Sequence, residues 1–142
     1  MIGMQILQPV VALAAWTMVM WAWMYATRIP AMAAAKVVPD SLARDPETTL
    51  DRVLPPHVQW KAHNYNHLHE APTVFYAMAI VLAIVGQGDG VNAWLGWAYV
   101  ALRVVHSLVQ ATVNRVTVRF ALFVLSSLVL LALILHAAMA VF

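Results

Sequence analysis

The chain has 142 residues, of which 63% are apolar and only 10% charged, with a mean hydropathy of +0.78. A soluble globular domain usually carries about 25% charged residues, so this composition belongs in lipid. The net charge of +2 is spread along loops rather than gathered in a groove-sized patch, which argues against nucleic acid as a partner. The lack of cysteine excludes disulfides, thiolate metal sites and a protein-borne cysteine nucleophile, so any thiol chemistry must use a ligand's thiol.

In chain order, residues 1–142 read as one all-α integral membrane domain, a four-transmembrane-helix bundle with helices over about 4–27, 58–86, 91–113 and 118–141. Met1 to Thr27 carries no charge, and Val10 to Ala26 is apolar enough to cross a hydrocarbon core about 30 Å thick. Its long run and uncharged MIGMQ start are unlike a cleaved signal peptide, so the segment is expected to stay in the mature protein. Pro30, Pro39, Pro46, Pro55 and Pro56 mark the polar stretch from Arg28 to Pro56 as the main loop, with a short helix near Pro46 to Val53. The second apolar run, Pro72 to Gly86, covers only about 22 Å, so the helix must begin earlier, near His57, and take Glu70 into the membrane. Pro72 then predicts a kink that opens space beside polar groups.

Gln87-Gly-Asp-Gly90 reads as a tight turn into the third helix, which is interrupted in hydropathy only by Arg103 and His106, and the fourth runs uncharged from Arg119 to Phe142. Five Lys and Arg lie between Arg28 and Lys61 and two more at Arg115 and Arg119, so both basic loops are expected to face the cytoplasm. That places both termini outside, in a multi-pass protein of a bacterial inner membrane, with Trp94 and Trp97 in the outer aromatic belt.

On the third helix, Tyr99, Arg103, His106, Gln110 and Asn114 step by three and four and share one face, a polar stripe in lipid. His63, His67 and Glu70 form a matching stripe on the second helix, with Asn66 beside it. Glu70 and Arg103 lie about 14 and 18 Å in from the flanking basic residues, so the spacing predicts an ion pair between them. Such a pair serves either helix packing or a ligand site; the second is favoured because ionisable residues at membrane depth usually serve function. No metal is expected, because His69 points away from the His63 and His67 face and Arg103 repels a cation. His136 is read as a hydrogen-bonding residue near the outer interface, and Ser126 and Ser127 as small packing residues.

Two segments carry a family resemblance over essentially the whole chain. Ala62-His-Asn-Tyr-Asn-His-Leu-His-Glu-Ala-Pro-Thr-Val-Phe-Tyr76 and Arg103-Val-Val-His-Ser-Leu-Val-Gln-Ala-Thr-Val-Asn-Arg-Val-Thr-Val-Arg119 resemble the helix-two and helix-three signatures of bacterial members of the MAPEG family, the membrane-associated proteins in eicosanoid and glutathione metabolism. The resemblance implies a homotrimer that binds glutathione as co-substrate between subunits near the cytoplasmic side. It also implies a transferase or peroxidase acting on hydrophobic small-molecule electrophiles. Glu70, Arg103 and His106 match positions lining the glutathione site, with His67, Asn66 and Gln110 beside them. Arg119 matches the arginine beside the thiol and is the catalytic candidate, since a nearby cation favours the nucleophilic thiolate. The chain departs from the enzymatic branch at Asn66 and His67, and Gln110 and Phe123 stand where that branch has tyrosines. The alternative is a non-catalytic member of the same fold that binds a membrane lipid or a partner protein.

Overall fold

The computed structural model describes residues 1–142, and it is helical throughout, with no strand. Its elements are α1 (Leu7–Ala34), α2 (Ser41–Arg44), α3 (Leu50–Val53), α4 (Pro56–His67), α5 (Ala71–Ile84), α6 (Val91–Thr112) and α7 (Val116–Val141). Three stretches are long and apolar enough to cross a membrane: α1, α4 with α5 as one broken span, and α7. α6 is about 33 Å long at 1.5 Å per residue, but its polar stripe lowers its hydropathy. With only 33 of 142 residues buried, most of the apolar surface faces outward, as in a multi-pass integral membrane protein.

α1 runs one to two turns beyond the end expected near Thr27. Pro30 lies inside the helix, because Ala31, Ala33 and Ala34 are strong helix formers that carry it on past the missing N–H. It stops at Lys36, in the left-handed region (φ 52°), where Val37 N–H donates to the Met32 carbonyl at 3.0 Å and Lys36 N–H to that of Ala33 at 3.1 Å. The second span behaves differently: here the predicted kink is a full break. Pro72 cannot donate to the Leu68 carbonyl, α4 ends at His67, and Glu70 leaves helical register (φ −96°, ψ −105°) before α5 begins.

The core lies where α6 packs against α7, α1 and α4, while α5 lies on α7. Phe75 and Tyr99 stack at its centre, ring centroids 4.6 Å apart, among Leu13, Met20 and Leu82. α7 buries only Ser126, Leu130, Leu133 and Ala137, whose four-three-four spacing makes one narrow stripe. The hydroxyls of Ser126 and Ser127 both donate to the Phe123 carbonyl, at 2.9 and 2.8 Å, so they pack without exposing a polar group.

The N-terminus closes one end of the bundle on the turn that joins α5 to α6. Gly3 N–H donates to the Ala83 carbonyl and Ile6 N–H to that of Gly88, both at 2.8 Å, and Gln5 N–H donates to Asp89 Oδ1 at 3.0 Å. The approach is so close that a Cβ on Gly3 would stand 2.3 Å from the Gly88 nitrogen. At the same end His136 Nδ1 meets Asn92 Oδ1 at 2.5 Å, and Asn92 Nδ2 donates to the Gln87 carbonyl at 2.8 Å. Both termini therefore share the end opposite the basic loops.

At the basic end α3 is tied down by its carboxylate. Asp51 Oδ1 accepts from Gln59 Nε2 at 2.8 Å and pairs with His63 Nε2 at 2.9 Å, while Arg28 Nη2 donates to Gln59 Oε1 at 3.2 Å. Lys61, one of the residues counted as a loop charge, is only 7% exposed and points into the bundle. Its ammonium donates to the carbonyls of His57 and Ala111 at 2.9 and 3.2 Å and sits 5.2 Å from the centroid of Trp23, which stitches α4, α6 and α1 together.

Candidate functional site

The break in the second span sets the site. In a continuous helix the His67 carbonyl would accept from Ala71; after the break it takes a tight bond from Glu70 N–H (3.2 Å) and a second from Arg103 Nη2 (3.3 Å). Arg103 is thus held by backbone exposed at the break rather than by a carboxylate. No ion pair joins Glu70 to Arg103, which corrects the pairing expected from helical spacing. The physical reason is local: Glu70 leaves helical geometry and its side chain no longer continues the His63 and His67 face. The two residues instead both line one cavity of about 260 Å³.

That cavity has two sides. His67 from α4, Glu70 from the break, Arg103 and His106 from α6 and Arg119 from α7 make the polar side. Ala71, Val116, Phe120 and Phe123 make the apolar side, and the two phenylalanines are largely exposed at its rim. Arg103 and His106 are 2% and 4% exposed, so their charge and polarity are concentrated in a small desolvated space. Three buried nitrogens there have no hydrogen-bond partner: Arg103 Nε, His106 Nδ1 and Arg119 Nε. Unpartnered buried polar atoms are costly, at about 1–3 kcal/mol each.

Behind the cavity wall a second layer positions these groups. Gln110, 2% exposed, places Oε1 3.0 Å from Nδ1 of His67. Asn114 does two jobs. It ends α6 in the left-handed region (φ 48°), with its N–H on the Val109 carbonyl at 2.7 Å, and its Oδ1 accepts from Arg119 Nη1 at 2.6 Å. Asn114 was read from spacing as the last member of the α6 stripe; it lies just past the helix, and the left-handed preference of Asn is the signal that could have placed it.

Of the residues singled out from sequence, the fold brings His67, Glu70, Arg103, His106 and Arg119 onto one cavity and puts Gln110 directly behind His67. Asn66 is exposed on another face of α4 and does not line the cavity. The histidines of α4 and the break turn to separate partners: His63 to Asp51, His67 to Gln110, and His69 to the Tyr65 carbonyl at 2.9 Å. The donors of the cavity favour an acceptor-rich, anionic group, and its phenylalanine rim favours an apolar one.

The model of the MAPEG family matches residues 6–139 of the chain, nearly its whole length. No curated protein and no solved structure matches it.

Proposed function

From the premise that the chain belongs to the MAPEG family, we propose that it is a homotrimeric membrane enzyme that binds glutathione in the cavity at the α4–α5 break. There it would transfer the thiol to, or reduce, hydrophobic electrophiles. The observation that carries the reading is the placement of Arg103, His106 and Arg119 around one space that Val116, Phe120 and Phe123 also line. Glutathione has two carboxylates for the guanidiniums, an ammonium for Glu70 and a thiol that gains nucleophilicity beside a cation. Arg119 is the catalytic candidate because it lines the cavity from the same helix as Phe120 and Phe123, beside which an apolar electrophile would meet the sulfur. Arg103, His106, His67 and Glu70 then hold the tripeptide, with Gln110 in support and Asn66 outside the cavity. In this reading α6 is the fourth span, the basic loops face the cytoplasm of a bacterial inner membrane and both termini lie outside.

Titration of the purified protein with glutathione, followed by thiolate absorbance and by conjugation to a hydrophobic α,β-unsaturated ketone, tests this. Saturable binding with thiolate formation is expected; no binding at millimolar glutathione would sink it. One observation favours a second reading, a non-catalytic protein that holds an anionic lipid: Arg119 Nη1 is already engaged by Asn114. Lipid that co-purifies in the cavity and is not displaced by glutathione would decide for it.

A further inference from the structure

Resting on the glutathione reading above, we propose that His67 is the base that takes the thiol proton, and that Gln110 is the positioning residue that presents it. An amide oxygen only accepts hydrogen bonds, so the 3.0 Å contact of Gln110 Oε1 places the imidazole proton on Nδ1 of His67. The lone pair is then on Nε2, across the ring from the buried amide, in a residue that lines the cavity. The ring cannot easily turn away. Its Nδ1–H is held by Gln110, which is itself buried within α6. A base oriented through Nδ1–H by a buried acceptor is the arrangement general-base catalysis needs.

The charges around the ring fit this role. Arg103 and His106 face it from α6, with the His106 ring centroid 6.2 Å away, Arg119 faces it from α7, and Glu70 follows it at the break. With two guanidiniums in the cavity, a proton is accepted on Nε2 most readily when a negative charge appears with it on sulfur. In the step itself the S–H bond breaks, its proton goes to His67 Nε2, and the sulfur pair stays behind as thiolate beside Arg119. With an α,β-unsaturated ketone the thiolate forms the C–S bond at the β-carbon, and the carbon–carbon π pair shifts to give the enolate. The imidazolium then returns its proton to the α-carbon, so His67 ends neutral and no further reactant is consumed.

The test is a set of pH–rate profiles with glutathione and that ketone, alongside glutathione affinity measured directly. The unmodified protein is expected to show kcat/KM rising through the titration of an imidazole. His67→Asn should lower kcat by about 10²-fold and abolish that limb. Added imidazole should recover part of the rate in His67→Ala. Gln110→Glu keeps an acceptor on Nδ1–H and makes it anionic, so the limb should move to higher pH with the enzyme still active; Gln110→Leu should lower kcat further than Gln110→Glu does. If glutathione binds and reacts yet the limb survives in His67→Asn or stands still in Gln110→Glu, His67 is not the base, while the glutathione reading stands. If the unmodified protein binds no glutathione, both fall together.

Discussion

The two ends of this bundle treat their polar groups in opposite ways. At the end that holds both termini, Gly3, Gln5 and Ile6 close on the Ala83–Asp89 turn, and Asn92 satisfies both His136 and Gln87. No buried side-chain nitrogen or oxygen there lacks a partner; the unpartnered ones belong to Arg28, Arg103, His106, Arg119 and their neighbours nearer the middle and the basic loops. In a membrane, where water is not at hand, polar groups are paired wherever packing allows. The contrast therefore separates an end whose polar groups are closed on one another from a region where several remain unpartnered.

That comparison can be broken or sharpened by experiment. The largest effect is expected from Arg119→Ala, which should lower glutathione conjugation by about 10²–10³-fold while leaving the thermal midpoint nearly unchanged; a loss that appears only as unfolding would erase the distinction. Gly88→Ala acts at the shut end. Its Cβ would stand 2.2 Å from the Gly3 carbonyl oxygen, so a loss of about 2–4 kcal/mol in stability is expected, with unchanged glutathione affinity in the protein that remains folded. Asn114 tests the hinge between layers: Asn114→Ala should cost about 1 kcal/mol through the left-handed backbone, while Asn114→Gly should restore stability. Both release Arg119, so thiolate absorbance should change alike in the two variants although their thermal midpoints differ.

The smallest effect concerns the loop. The hydrogen bonds from Gln59 and His63 hold the Asp51 carboxyl below the usual carboxylate range. Because the folded pKa is the lower one, the tie is fully present above the ordinary carboxylate value and is lost as pH falls through the depressed one. Limited proteolysis of residues 35–56 should therefore accelerate in acid, and Asp51→Asn should show part of that acceleration already at pH 7. A flat profile would mean that α3 is held by other contacts.

How much of this could be read from the chain follows from the range of the interactions. The α6 stripe was legible because helical spacing alone puts Arg103, His106 and Gln110 on one face. The break at Pro72 was legible as a kink, since the missing N–H is written in the residue itself. The Glu70 to Arg103 pairing was not, because spacing arguments assume an unbroken helix and the break removes Glu70 from it. Lys61 was counted as a loop charge because nothing local reveals that Trp23 and Ala111, both distant in sequence, receive it. The closure of Gly3 on Gly88 is a contact across 85 positions, and a Gly in either place reads locally only as a turn.

The division of the second span has a mechanical side as well. α4 is carried by α1 and α6, whereas α5 is carried chiefly by α7 and the Phe75–Tyr99 stack, so one membrane crossing rests on two separate supports. No continuous ladder of backbone bonds runs between them to transmit load. A side chain enlarged at Ala71 or Phe120 presses on one lever without prying at the other. The cavity can thus be reshaped while the glycine-sealed turn at the far end of α5 stays under no strain.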